Sequence, residues 1–393
     1  MKSEIYADNA ATTKLDRKAF EAMIPWLFEN YGNPSVPYSF SRAERRAIND
    51  SREAIAKCIN ADSDEIFFTS GGTESNNWAI KGVAPLDIAN VNSTLRTTLI
   101  TSKIEHHAIL NSCYAVERLG CPVVYLPVSK SGFVEMDTLG KQLSDTTKLV
   151  SIMLANNEIG TIQPIKALAE IVHNNGSYFH SDAVQAIGHI PVDVKDLGVD
   201  LLSASAHKFY GPKGIGFLYI REGTDILPFV DGGSQERGFR AGTENVASIV
   251  GMAIALVNCL SRIRTEMIRL SSLTKRFLEE LDKSDIDYIV NGDLCNRLPG
   301  NINISIKNAN GEMLLHRLDL KGIYIATASA CNSSQKKTSH VIEAIKVPRD
   351  YSEGTIRLSL GKDNTLEDSI TIAHEIIDIT RNKRVNRQHN RYD

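Results

Sequence analysis

The sequence predicts an α/β protein with a largely parallel sheet and a second, smaller α/β unit. Three observations carry this. Apolar, partly β-branched runs alternate with helix-like segments through the first two thirds of the chain. Residues 245–281 keep helical apolar spacing over a length unusual for one globular helix, as a connection between two units would, with room for a break. Beyond them, three more strand-like runs alternate with helices.

Taken in order, residues 65–69 read as a strand, leading through Gly71-Gly72-Thr73 into a helix over 78–81. Residues 98–101, 123–126, 149–154, 178–180, 201–203 and 214–220 are further strands, and 165–173 are helical. Strands at 301–306, 323–325 and 355–360 build the second unit. The first 16 residues are expected to pack against it, because chain termini often meet. The boundaries that follow are a large domain over 15–262 and a small domain from 1–14 and 263–393.

Bulk composition narrows the function. With 393 residues, 42% hydrophobic and 23% charged, the chain is ordinary for a soluble protein of two domains. A formal charge of −3 supplies no general drive toward nucleic acid or anionic membrane. The longest apolar run, 249–260, is too short to span a bilayer. Six cysteines lack metal-type spacing and the N-terminus is polar, so reduced thiols, a cytoplasmic location and no metal site are expected. The basic stretch 381–391 is expected to be a frayed, solvated tail, with a nucleic-acid or partner contact as the other reading.

Four places carry chemistry. Lys208 follows an apolar run that includes Ser205 and precedes a glycine-rich turn. Desolvated there, it would be the neutral amine that attacks a carbonyl; a solvated loop lysine is the other reading. Ser205 and His207 are short donors suited to a phosphate. At Ser70-Gly-Gly-Thr73 two glycines open a helix whose N–H groups could hold a phosphate at Gly72 and Thr73, or simply start a helix. The turn is neither GxGxxG nor a Walker loop, which disfavours dinucleotides and nucleoside triphosphates. Asp182 ends a strand, where it caps a helix or faces a pyridinium nitrogen. Cys331 is a small buried residue or the nucleophile of an exposed loop, and Lys336 and Lys337 near it favour the thiolate. A phosphate cradle, a strand-end aspartate and a lysine, in that order, are the parts of a pyridoxal-phosphate site.

Here the chain resembles the class V aminotransferase family of fold-type I pyridoxal-phosphate enzymes, and within it the cysteine desulfurases. The matching stretches include Tyr6-Ala-Asp-Asn-Ala-Ala-Thr-Thr13, Ser70 to Asn77, Glu105-His-His107, Asn156-Asn-Glu-Ile-Gly160 and Asp182-Ala-Val-Gln185. They continue in His207-Lys-Phe-Tyr-Gly-Pro-Lys-Gly214, Arg237-Gly-Phe-Arg-Ala-Gly-Thr243, Ser329-Ala-Cys331 and Ile356-Arg-Leu-Ser-Leu-Gly361. The resemblance implies a mainly parallel seven-stranded sheet in the large domain and a smaller α/β C-terminal domain. It also implies pyridoxal 5'-phosphate as cofactor, L-cysteine as substrate, L-alanine as product, a homodimer, and a sulfur-acceptor protein as partner.

Roles follow residue by residue from the same resemblance. Lys208 would hold the cofactor and shuttle the Cα proton. Asp182 would pair with the ring nitrogen, Gln185 and Asn157 would serve the ring hydroxyl region, and His106 would cover the ring face and assist proton transfer as a catalytic residue. Gly72, Thr73, Ser205 and His207 would bind phosphate from one subunit and Thr243 from the other. Arg357, with Asn157, would take the substrate carboxylate, and Cys331 would accept the sulfur as a persulfide. The Ser-Ala-Cys context is similar to the group with a long flexible loop. Departures from the family pattern are Thr327-Ala328 in place of Ser-Gly, Ala206 in place of glycine, and Tyr38 in place of a histidine. The tail also lacks the apolar stretch that docks an iron–sulfur scaffold, which leaves iron–sulfur assembly and nucleic-acid thiolation both open. A selenocysteine lyase, another aminotransferase of the family, or a non-catalytic member of a sulfur-transfer complex are the alternatives.

Overall fold

The computed structural model describes residues 4–84, 96–327 and 338–389, with side chains in the last helix described as far as Arg381. The strands are β1 (Ile5–Tyr6), β2 (Ile66–Thr69), β3 (Thr98–Ser102), β4 (Val123–Leu126), β5 (Thr147–Ser151), β6 (Tyr178–Asp182) and β7 (Leu201–Ser205). They continue with β8 (Gly216–Ile220), β9 (Tyr288–Val290), β10 (Asn301–Ile306), β11 (Ile323–Tyr324), β12 (Ala326–Thr327) and β13 (Thr355–Ser359). A seven-stranded sheet has the order β2-β8-β7-β6-β5-β3-β4. It is parallel except for β8, which runs against both of its neighbours.

Both faces of this sheet are covered, which is why its strands read as continuous apolar runs rather than as alternation. Ile100, Val150, Phe179, Leu202 and Phe217 belong to the core on one face. Leu99, Leu149, Leu201 and Leu218 belong to the core on the other, under the helix Gly72–Val83 with its buried Trp78 and Ile80. Toward the carboxyl ends of the strands that second face turns polar: Ser151, His180 and Ser203 are buried there, followed by Asp182 and Ser205. His180 sits between the Ser151 and Ser203 hydroxyls at 2.8 and 2.9 Å, and burial pushes its pKa down to about 3.

The second sheet is antiparallel, ordered β12-β13-β10-β9. The N-terminal β1 pairs in parallel with β11, and Ile5 and Ala7 join the core beneath the second sheet. Several boundaries differ from the sequence reading: the helix read at 78–81, for one, spans Gly72–Val83. The run 149–154 stops as a strand at Ser151, although Ile152 and Leu154 still donate to the carbonyls of His180 and Asp182. The long helical stretch breaks at Ser261-Arg262 into Val246–Leu260 and Ile263–Asp282, bent by 69°. The run 323–325 divides because β11 serves β1 while β12, two residues on, serves β13.

The basic stretch read as a frayed tail instead continues the helix Leu366–His389. Ile372, Ala373, Ile376, Ile377 and Ile379 anchor that helix in the core, and neither glycine nor proline interrupts it afterwards. Among the described residues no single helix is long and apolar enough to cross a membrane.

Candidate active site

A cavity of about 610 Å³ opens at the carboxyl ends of the parallel strands, where open α/β sheets bind their ligands. Gly72, Thr73, His106, Asn157, Asp182, Gln185, Ser205, His207, Lys208 and Arg357 all line it. Thr243 does not: it lines a smaller hollow with Ser70, Arg240 and Glu236. Cys331 and Ala328 lie outside the described residues, but the flanks of their segment, Thr327 and Thr338, both border the large cavity.

One end of the cavity is built by the helix Gly72–Val83. Its N-cap, Gly71, has φ of +146°, a conformation that favours glycine. A Cβ on Gly72 would lie 2.5 Å from Val184 Cγ2, so glycine is what lets the helix start beside the strand end. The first-turn N–H groups of that helix, with the Ser205 hydroxyl near them, form an anion cradle. His207 Nδ1 meets Thr12 Oγ1 at 3.1 Å. Burial first, then the Lys208 and Lys213 charges, push its pKa down to about 4, so it serves as a neutral ring.

Asp182 ends β6, and no helix follows; its Oδ1 accepts from Val184 N–H at 3.0 Å in a turn. Helix capping is therefore not its role. Its Oδ2 accepts from Asn76 Nδ2 at 2.7 Å. Lys208 closes a single 3-10 turn, Ala206–Lys208, directly after β7, and its amine donates to the carbonyls of Ala10 and Ala11 at 2.6 and 2.8 Å. Gln185 Nε2 reaches the same Ala10 carbonyl at 3.0 Å. His106 caps the helix His107–Glu117, with Nδ1 accepting from Ala108 N–H at 3.1 Å. Desolvation keeps its pKa below the ordinary histidine value, so the neutral ring carries its proton on Nε2.

At the other end, Arg357 on β13 donates from Nη2 to Asp8 at 2.6 Å and from Nη1 to the Asn157 carbonyl at 3.1 Å. Its Nε is buried with no hydrogen-bond partner among the described residues. An orphaned guanidinium donor, a helix N-terminus and a buried carboxylate lining one cavity are a donor set that fits a phosphorylated pyridinium and an amino-acid carboxylate.

Residues 5–369 match the class V aminotransferase family model. Cysteine desulfurase IscS of Dictyoglomus turgidum is 54% identical over 368 residues, which cover 94% of this chain and 92% of that protein. The chain belongs to the class V aminotransferase family, in its cysteine desulfurase branch. A solved NifS-like protein superposes with a TM-score of 0.89 at 38% identity, covering 96% of this chain and 100% of that one. SspA, solved in complex with cysteine, matches at a TM-score of 0.79 and 32% identity over 91% of this chain and 99% of that one. Enzymes of this family depend on pyridoxal 5'-phosphate.

Several contributors to the cavity were not singled out from sequence. Asp8 lies in a quoted motif, yet only the fold brings it to Arg357. Glu158 accepts from Ser339 Oγ at 2.6 Å, tying the far flank of the Cys331 segment to the cavity wall. Glu105, which precedes His106 in the chain and does not itself line the cavity, is fully buried, and burial pushes its carboxyl up to about 8 despite bonds from Ser102 Oγ and Met153 N–H. The spacing of Asn76, three residues after Thr73 on one helix face, was the available signal for its place.

The hollow that holds Thr243 is fixed by a buried pair. Arg52 and Glu236 share two hydrogen bonds of 2.8 Å, and Glu236 also accepts from Phe68 N–H on β2. Replacing Arg52 by methionine is expected to cost up to about 3–5 kcal/mol, because it strips both guanidinium bonds from the buried Glu236 carboxylate and leaves it the Phe68 N–H and the more distant Arg237 and Arg240 charges. Thermal unfolding checks this; a variant melting with the wild type would contradict it.

Proposed function

We propose that this protein is a pyridoxal-phosphate-dependent cysteine desulfurase: it converts L-cysteine to L-alanine and takes the sulfur onto Cys331 as a persulfide. The observation that carries the reading is the meeting of Lys208, Asp182 and Arg357 in one cavity bordered by both flanks of the Cys331 segment. Bound there, pyridoxal phosphate supplies an electron sink for negative charge at the substrate Cα. Gly72, Thr73, Ser205 and His207 would hold its phosphate, Asp182 its ring nitrogen, and Gln185 and Asn157 its hydroxyl edge, with His106 at the ring face.

Arg357 takes the substrate carboxylate and so fixes Cα beside Lys208. The Lys208 amine removes the Cα proton and delivers a proton back. The Cys331 thiolate then attacks the substrate Sγ. The Cβ–S bond breaks with its electron pair left on Cβ, which takes up the proton of the substrate thiol and becomes the methyl group of alanine; an S–S bond forms, and the two sulfurs together lose the two electrons that Cβ gains. The persulfide passes to the thiol of an acceptor protein, in iron–sulfur assembly or nucleic-acid thiolation.

A homodimer accompanies this reading. Thr243 is absent from its own subunit's cavity, and Phe28 and Tyr31 are 75% and 74% exposed beside exposed Leu27 and Phe40. A second copy covering that patch supports a Thr243 that completes the partner's phosphate site.

Product analysis tests the function. With L-cysteine and a thiol reductant, alanine and sulfide are expected in equal amounts. A keto acid without sulfide would mark another aminotransferase, and turnover restricted to selenocysteine would mark a selenocysteine lyase. Arg357→Ala is expected to lower kcat/KM for L-cysteine about 10- to 150-fold, from the loss of about 1.5–3 kcal/mol of charged hydrogen bonding. Steady-state kinetics check this, and an unchanged kcat/KM would move the carboxylate site elsewhere.

A further inference from the structure

We propose that Asn76 is a positioning residue that orients Asp182, so that one helix sets both ends of the cofactor. This rests on the reading that the cavity holds pyridoxal phosphate. Asn76 is 1% exposed and borders the cavity, and its Nδ2 donates to Asp182 Oδ2 at 2.7 Å. The opposite amide orientation would set oxygen against carboxylate, so the orientation is determined by its partner. Its Oδ1 is buried with no hydrogen-bond partner among the described residues. An orphaned buried oxygen is costly, and the bond to Asp182 is what the amide gains in exchange.

The placement has a geometric consequence. Thr73 and Asn76 are three residues apart on the helix Gly72–Val83, so they share a face. The first turn of that helix is the phosphate cradle, and its second turn holds the carboxylate that meets the ring nitrogen. The spacing between the phosphate and the ring nitrogen is thereby matched to a single rigid element. The other titratable groups near Asp182 are His106 and Glu105 ahead of the helix His107–Glu117, Lys208 after β7, and His180 two residues earlier on β6.

The test is equilibrium binding of pyridoxal phosphate to the apoprotein, followed by cofactor absorbance and fluorescence across pH. Asn76→Ala is expected to weaken binding about 10- to 100-fold, the worth of a hydrogen bond to a buried charge. Asn76→Asp keeps the shape and places two carboxylates together, which share one proton. Its affinity is expected to match wild type at low pH and to fall relative to wild type as pH rises and the shared proton is lost. Asn76→Ala binding within twofold of wild type would overturn the assignment, as would an Asn76→Asp ratio independent of pH. Wild-type protein that binds no pyridoxal phosphate would instead overturn the functional reading itself.

Discussion

Lys208→Ala abolishes the visible absorbance that the bound cofactor shows in wild type and lowers turnover of L-cysteine about 10⁴-fold or more. The expectation combines two losses: the covalent attachment point and the group that moves the Cα proton, itself worth about 10²–10⁴-fold. The structure makes the effect specific. Lys208 ends a short 3-10 turn immediately past β7, its amine is held by the carbonyls of Ala10 and Ala11, and its side chain borders the cavity. The variant should fold with wild-type circular dichroism, since Lys208 itself belongs to none of the apolar cores. An unchanged absorbance spectrum would mean that another lysine holds the cofactor.

Cys331→Ser separates the two halves of the reaction. The variant should bind cofactor and answer L-cysteine with the wild-type spectral change, because Lys208, Asp182 and Arg357 are untouched. It should release no measurable alanine, since nothing remains to accept the sulfur. Stopped-flow spectra alongside alanine quantification check both halves. Alanine at the wild-type rate would remove Cys331 from the mechanism. The pairing of β12 with β13 on one side, and the Ser339–Glu158 and His340–Glu105 bonds on the other, are among the described contacts that keep the segment's two flanks at the cavity.

Much of this architecture was legible before the structure. A sheet buried on both faces requires near-continuous apolar strands, and Leu99-Ile100, Leu149-Val150 and Leu201-Leu202 supply such pairs to the two cores. Asp182 and Lys208 were legible because both follow such strands, at the edge where parallel sheets place ligands. The helix break at Ser261-Arg262 was indicated only by length, since neither residue is a strong helix breaker. Asp8 and Arg357 lie 349 positions apart, and no local pattern joins them. Asn76 has ordinary helical spacing, and its difference from any amide on a helix is the carboxylate that folding brings to it. The continuation of the last helix through a basic stretch was missed because charge was read as fraying, while buried isoleucines upstream had already nucleated the helix.

The central claim is that Cys331 receives the sulfur of L-cysteine. A single turnover with L-cysteine, without reductant, followed by peptide mass spectrometry, tests it most directly. One added sulfur atom is expected on the peptide containing Cys331, with one alanine released per modified subunit. Alanine released with that peptide unmodified, or the added sulfur found on Cys58, Cys113, Cys121, Cys259 or Cys295 instead, would contradict it.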